Sequence, residues 1–401
     1  MIKDYSTLQS RIKKNLGDAP LISLVDQIIQ DAMTLGASDL HWEPFEQQYR
    51  VRVRIDGILH ILAQLPLELS PNLTSRLKIM AQLDIAERRL PQDGRFKWQG
   101  PGGKAMDIRI STCPTLFGEK IVLRLLDPCQ TTLNIDALGY SPLQKQQLLD
   151  ALNHSQGLIL VTGPTGSGKT VSLYTALNLL NTEQRNISTV EDPIEINLPG
   201  INQVAMNAKT GLSFAMTLRA FLRQDPDVIM VGEIRDADTA EIAVKASQTG
   251  HLVLSTLHTN SALETLLRLE NMGISRYNLS HSVILLVAQR LARKLCSHCK
   301  THEILPDLFL HTHGFDLSKP LQLYKAVGCQ HCHQGYKGRV GIHEVLPISE
   351  SMQQLMLQPI NMLDLLRQAQ QEGFISLRED GLRKVADGLI SLEELNRVIT
   401  G

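Results

Sequence analysis

Gly163-Pro164-Thr165-Gly166-Ser167-Gly168-Lys169-Thr170 satisfies the pattern G-x-x-x-x-G-K-[ST] in full. Gly157 to Thr162 before it reads as a short buried strand, and Val171 to Leu180 after it carries apolar residues at helical spacing. Strand, glycine-rich loop and helix in that order form a phosphate cradle. The glycines let backbone N–H groups turn inward on an anion, and the helix start adds its positive dipole end. In such a cradle residues 163–170 and Val171 contact a nucleotide such as ATP, Lys169 reaches the β- and γ-phosphates, and Thr170 holds Mg²⁺.

Hydrolysis of a γ-phosphate also needs a group that orients water and positive charge on the transferring oxygens. Acids follow two apolar runs: Glu191-Asp192 after Ile187–Val190, and Glu233 after Val228–Val231. The position two before Glu233, Asp in many phosphate-loop enzymes, is Val231, so Glu233 would serve the water or the metal shell without that acid. Either Glu191 or Glu233 suits a general base; a helix cap or a solvated strand end is the alternative for each. His258, just after the run Leu252–Leu257, is a candidate sensor of the γ-phosphate, while His251 reads equally as a strand-entry histidine. Arg219, Arg223 and Arg235 are either phosphate contacts or ion-pair partners of Asp225, Asp227 and Asp236.

Cys296-x-x-Cys299 and Cys329-x-x-Cys332 are two knuckles with 29 residues between them. Four thiolates so placed can close a structural Zn²⁺ site and clamp a loop-rich insertion. Cys329-Gln330-His331-Cys332-His333 also fits the C-x-x-C-H haem signature. Haem attachment needs export, no signal peptide opens the chain, and the first pair would go unused. Disulfides or bare thiols are the third reading. Cys113 and Cys129 lack such spacing and read as buried small apolar side chains.

These residues need elements to hold them. The 401 residues suffice for two to four domains, and 43% hydrophobic against 20% charged residues gives ordinary cores. A net charge of −1 gives no global pull toward nucleic acid, and 4% aromatics argues against base-stacking platforms. No run reaches the ~18 apolar residues of a membrane helix; the most apolar, Val283 to Ala288, is far shorter. Met1-Ile2-Lys3-Asp4-Tyr5 lacks a signal peptide's apolar core, so a cytoplasmic protein with reduced cysteines is expected. Leu21–Leu35 patterns as an amphipathic helix stopped by Gly36; Tyr49–Ile55 and Ile58–Leu62 alternate as a hairpin around Asp56-Gly57. A helix over Pro71–Leu83 and strands near Arg95–Trp98, Ala105–Thr112 and Lys120–Leu126 complete an α+β domain. A helix over Ser141–Asn153 precedes Leu158–Val161, Ile187–Val190, Val228–Val231 and Leu252–Ser255, four apolar runs separated by helical segments. That alternation predicts a parallel sheet whose carboxyl ends gather the polar groups at one edge. Beyond Glu350 the period is helical: Met352 to Met356, Met362 to Ala369, Leu382 to Leu389 and Leu392 to Val398. The expected division is a tail over 1–20, the α+β domain over 21–130, the nucleotide domain over 131–290, the cysteine module over 291–345 and a helical subdomain over 346–401.

The motifs come in a telling order. After the phosphate loop follow Val190-Glu191-Asp192-Pro193-Ile194-Glu195, then Leu222-Arg223-Gln224-Asp225-Pro226-Asp227 with Gly232-Glu233-Ile234-Arg235-Asp236, then Thr249-Gly250-His251 to Leu257-His258-Thr259-Asn260. They closely resemble the Walker A, Asp-box, Walker B and His-box motifs of the secretion ATPases of type II secretion and type IV pilus assembly. The first domain matches through Gly36-Ala37-Ser38-Asp39-Leu40-His41, Arg54-Ile55-Asp56-Gly57, Pro91-Gln92-Asp93-Gly94-Arg95 and Asp107-Ile108-Arg109-Ile110-Ser111. The resemblance, from about residue 21 to the end, implies an α/β fold: a RecA-like P-loop domain with a parallel sheet, a smaller PAS-like α+β domain before it, a zinc-binding insertion and a C-terminal helical subdomain. It implies a homo-hexameric ATP hydrolase using Mg²⁺ and Zn²⁺ at the cytoplasmic face of the inner membrane. Such a motor drives a platform protein and, through it, pilins, in protein secretion, pilus biogenesis or DNA uptake. It further implies that Arg95 and Arg109 act as arginine fingers; from the residues alone both read as strand arginines in surface salt bridges. Assembly and secretion members carry the tetracysteine module, framed as here by Gln289 to Cys296 and Gly338-Arg339-Val340-Gly341. Such members also carry a further N-terminal domain that docks on the membrane complex, where about 20 residues precede the first domain here. The cluster Arg290, Arg293, Lys294 reads as a solvated helix face, with a surface for nucleic acid as the alternative. The competing reading is a zinc-containing nucleic-acid-dependent ATPase or helicase, which predicts stimulation by DNA with steep salt dependence.

Overall fold

The computed structural model describes residues 20–100, 105–126, 133–207, 210–315, 321–359 and 361–399. Residues 1–19 of the expected tail and Cys129 fall outside them. The chain divides near residue 131 into two compact units.

In the first unit, α1 (Pro20–Thr34) buries the stripe Leu24, Val25, Ile28, Ile29 and Ala32, as its spacing demands. Six strands follow with one more helix: β1 (Asp39–Pro44), β2 (Tyr49–Ile55), β3 (Ile58–Leu65), α2 (Ser70–Met80), β4 (Gln92–Gln99), β5 (Ala105–Thr115) and β6 (Gly118–Leu126). They form one antiparallel sheet in the order β3-β2-β1-β6-β5-β4. Asp56 and Gly57 both take positive φ, 48° and 86°, the pairing whose twist suits a two-residue hairpin. One face of the sheet packs Leu40, Trp42, Val51, Val53, Ile108, Ile110 and Leu123 into the core with the helices. The other carries an arginine row: Arg54 stands in register with Asp39, Asp39 with Arg124, Arg124 with Arg109, and Arg109 with Arg95. Asp39 binds Arg124 at 3.1 Å, and Arg95 binds Asp107 at 3.2 Å. Cys113, on β5 opposite Lys120, is exposed, which corrects the expectation that it is buried. Strand alternation turns it to the polar face.

The second unit opens with α3 (Pro142–Leu152), closed at its start by a capping box between Ser141 and Gln144. Then come β7 (Gly157–Thr162), α4 (Lys169–Leu180), β8 (Ile187–Glu191), β9 (Asn202–Ala205), α5 (Phe214–Phe221), β10 (Val228–Val231), α6 (Ala237–Gln248), β11 (Leu252–Leu257), α7 (Ala262–Asn271), α8 (Arg276–Ser282) and β12 (Val283–Leu295). The knuckle region adds β13 (Thr301–Glu303), α9 (Asp307–Thr312) and β14 (Leu323–Lys325), before β15 (Tyr336–Pro347) returns to the main sheet. Helices α10 (Glu350–Leu357), α11 (Met362–Gln371), α12 (Leu377–Ala386) and α13 (Leu392–Ile399) end the described chain. The seven-stranded sheet runs β15-β12-β7-β11-β10-β8-β9 and is parallel except for β15. Its two faces feed two separate cores, as a sheet covered on both sides requires. No helix among the described residues is long and apolar enough to cross a membrane.

Candidate nucleotide site

Strands β7, β11, β10 and β8 are adjacent and parallel, so Thr162, Leu257, Val231 and Glu191 end at one edge. The phosphate loop leaves β7 there. Gly163, Gly166 and Gly168 take φ of 145°, 80° and 91°, a region only glycine enters without strain. A Cβ on Gly163 would sit 2.4 Å from the Gln289 carbonyl oxygen, while one on Gly166 would meet nothing within 4 Å. The loop is therefore packed on its strand side and open at its tip. Ser167 is buried, and its Oγ has no protein partner among the described residues. An orphaned hydroxyl inside a glycine cradle fits a bound phosphate. Lys169 Nζ donates to the carbonyls of Gly163 (2.7 Å) and Pro164 (3.1 Å), and Thr170 follows it in the first turn of α4. Burial pushes the Lys169 ammonium down to about 8, against the pull of the Glu233 charge.

Glu233 is the acid that meets this lysine's field. It also accepts a hydrogen bond from Arg235, and His258 Nε2 lies 3.6 Å from its Oε2. Arg235 reaches on to Asp192 at 3.6 Å. Partial burial and the Lys169 charge hold the His258 imidazole below its ordinary value, with Glu233 opposing. The loop after His258 is tied to the phosphate-loop stem. Thr259 N–H donates to Thr162 Oγ1 at 2.9 Å, and the two threonine hydroxyls lie 2.7 Å apart.

Glu191 stands at the same edge with a different surrounding. Its buried carboxylate accepts from the Tyr174 hydroxyl, from Thr189 Oγ1 (2.6 Å) and from Gln203 Nε2 (3.1 Å). Burial and the neighbouring Glu191 charge push the Tyr174 phenol up, so it stays a donor. His251 lies at the entry of β11, with Nδ1 3.0 Å from the Ala246 carbonyl, at the far end of the strand that leads to His258. Arg219 pairs with Asp238 at 2.5 Å and Arg223 donates to the Arg219 carbonyl at 2.7 Å, partners other than the aspartates expected from sequence.

Arg290 and Arg293 lie on a strand, β12, which corrects the helical reading of that cluster. Arg290 donates to the Asn260 carbonyl at 3.0 Å and Arg293 pairs with Glu394 at 2.7 Å. Packing between β7 and β15 overrides the helix propensity of these residues. Sequence reasoning passed over Tyr174, Gln203 and Gln289 as site residues. Tyr174 and Gln203 lie outside every motif, and Gln289, although it opens the stretch that frames the cysteine module, is tied to the phosphate loop only by contact in space.

Sγ atoms of Cys296, Cys299, Cys329 and Cys332 all lie within 4.8 Å of one another. Those of Cys329 and Cys332 are 3.7 Å apart, far beyond the ~2.05 Å of a disulfide. Tetrahedral Zn–S bonds of about 2.3 Å would put sulfurs about 3.8 Å apart. Backbone N–H groups of Cys329 and His331 point at Cys332 Sγ (3.2 Å) and Cys329 Sγ (3.4 Å), which suits thiolates.

The family model described as type II/IV secretion system protein matches residues 14–397. The type IV pilus assembly ATPase PilB of Acinetobacter baylyi is 56% identical over 385 residues, 95% of this chain and 66% of that protein. PilB of Pseudomonas aeruginosa is 58% identical over 98% of this chain and 70% of that protein. Among solved structures, the pilus retraction motor PilT with bound ADP superposes with a TM-score of 0.63 at 28% identity, covering 92% of this chain and 95% of that one. The competing nucleic-acid reading finds no support among these relatives. This chain belongs to the type II/IV secretion system ATPase family.

Proposed function

We propose that this chain is an ATP-hydrolysing motor subunit that drives assembly of a type IV pilus or a type II secretion pseudopilus. The observation that carries the reading is the convergence of the glycine cradle, Lys169, Glu233 and His258 at one sheet edge, in a family whose named relatives are ATPases. Residues 163–171 bind the triphosphate, and Lys169 gives up its loop carbonyls to reach the β- and γ-phosphates. Mg²⁺ held at Thr170 would offset charge on the phosphate oxygens. Glu233 accepts the proton of the attacking water, and His258 holds Glu233 in place and reports the γ-phosphate. Glu191, fixed by three donors, sets the position of the Asp192 strand end. Arg95 and Arg109, in register on neighbouring strands, supply further positive charge to the transferring phosphate, which suits the planar fork of arginine.

The four cysteines hold Zn²⁺ as a structural clamp on the segment between β12 and β15. The working unit is a homo-hexamer at the cytoplasmic face of the inner membrane, acting on a platform protein and through it on pilins. Release of inorganic phosphate from ATP, measured for the natural chain and for Lys169→Ala, tests the reading. Equal turnover in the two would remove it. Added DNA should leave the rate unchanged; stimulation that fades steeply with salt would instead favour a nucleic-acid motor.

A further inference from the structure

Gln289 lies in β12, 122 residues along the chain from Ser167, yet it is built into the phosphate loop. It is buried, at 2% exposure. Its Nε2 donates to the Ser167 carbonyl at 2.8 Å, and its Oε1 accepts from the Ser172 hydroxyl at 2.7 Å. A carbonyl oxygen only accepts, so the amide has one workable orientation. The two anchors lie on either side of Gly168 and Lys169, one in the loop and one in the first turns of α4. A Cβ on Gly168 would come 2.8 Å from Gln289 Nε2, and one on Gly163 would come 2.4 Å from Gln289 O. Both glycines are thus held against this one residue.

We infer that Gln289 is a positioning residue for nucleotide binding, the strap that fixes the shape of the phosphate loop. The physical reason lies in the peptide plane. Across a trans peptide the C=O and the following N–H point in opposite directions. Pinning the Ser167 carbonyl toward β12 turns the Gly168 N–H away from β12. In an anion cradle, the direction of each N–H decides affinity. Arg290, the next residue, donates through Nη1 to the Gln289 carbonyl at 3.1 Å and through Nη2 to the Asn260 carbonyl at 3.0 Å. One stretch of β12 therefore holds both the phosphate loop and the loop that carries His258. This inference rests on the nucleotide reading above.

The test is titration of the full chain with a fluorescent ADP analogue, alongside steady-state phosphate release and circular dichroism. Gln289→Met keeps the length of the side chain and removes both hydrogen bonds. It should fold, weaken analogue binding and raise KM by about tenfold or more, the cost of leaving a buried carbonyl unpaired. Its kcat at saturating ATP should stay within about threefold, because Gln289 touches no reacting atom. A residue that merely fills space would leave affinity unchanged in a folded Gln289→Met protein, so binding within twofold of the natural chain overturns the inference. Ser172→Ala removes one anchor only and serves if Gln289→Met does not fold. It should weaken binding about threefold, and unchanged binding there counts equally against the strap. No binding by the natural chain would overturn the nucleotide reading and this inference with it, whereas normal binding by both variants overturns the strap alone.

Discussion

His258 Nε2 lies 3.6 Å from a carboxylate oxygen of Glu233, the two side chains coming from the carboxyl ends of neighbouring parallel strands. Glu233 is also the acid whose charge acts on Lys169, whereas Glu191 spends its oxygens on Tyr174, Thr189 and Gln203. The two glutamates should therefore fail differently. Glu233→Gln should cut phosphate release by about 10²-fold or more while nucleotide still binds, as expected for loss of a general base. Glu191→Gln should lower the melting temperature as well, since an amide cannot accept from all three donors. If Glu233→Gln keeps near-normal turnover while Glu191→Gln stays fully stable yet inactive, the two roles are reversed.

Lys169 sets a pH limit on binding. Burial pushes its ammonium down to about 8 in the nucleotide-free chain, so above that value the free site increasingly holds a neutral amine. A triphosphate needs the charged form, so binding above pH 8 must take up a proton. Affinity should fall as pH rises, approaching tenfold per unit in the limit of one linked proton. Isothermal titration at pH 7, 8 and 9 in buffers of different ionisation heat reads both the affinity and the proton uptake. A flat profile, with no proton taken up, would show that the lysine remains fully charged.

Much of this site was legible as sequence. The glycine loop, Glu233 and His258 each follow an apolar run, and the parallel sheet brings those run ends together. What stayed hidden was set by packing. Gln289 to Leu295 are mostly good helix formers, and nothing local says that β7 and β15 will hold them extended. β1 runs through the centre of its sheet although three of its six residues are polar, because strand alternation turns Asp39, His41 and Glu43 to one face. The helix expected over Leu382–Leu389 runs instead over Leu377–Ala386, opened by a capping box between Ser376 and Glu379. That box was readable; the apolar period drew the boundary five residues late.

Metal should be worth stability here. Four thiols with the spacing of a tetrahedral site join the segment after β12 to the segment before β15. Elemental analysis of the purified chain should give one zinc per chain. A strong chelator, or Cys299→Ser, should lower the melting temperature and expose residues 296–335 to protease first, because a structural zinc contributes folding energy directly. Melting unmoved by complete metal removal would reduce the cluster to four ordinary thiols.

One buried carboxylate joins the His258 loop to the C-terminal helices. Glu344 Oε2 accepts from the Ala262 N–H at 2.9 Å, and its Oε1 accepts from the Leu377 N–H at 3.1 Å. Ala262 and Leu377 are the first residues of α7 and α12, whose N-caps Ser261 and Ser376 already serve the N–H groups at Glu264 and Glu379. Two helix starts thus converge on one side chain, and α7 begins four residues after His258. Glu344→Gln must turn its NH₂ toward one of those N–H groups and should cost about 1–3 kcal/mol. The pH dependence carries a definite sign. Burial raises the Glu344 carboxyl, so above the ordinary glutamate range the folded chain keeps a proton that the unfolded chain has lost. Stability from this group is then lost as pH rises through the raised value, and the gap between the natural chain and Glu344→Gln should narrow over that window. Urea unfolding of both proteins from pH 4 to 8 measures the gap; one that widens with pH would mean the carboxylate is held ionised by its two helix starts.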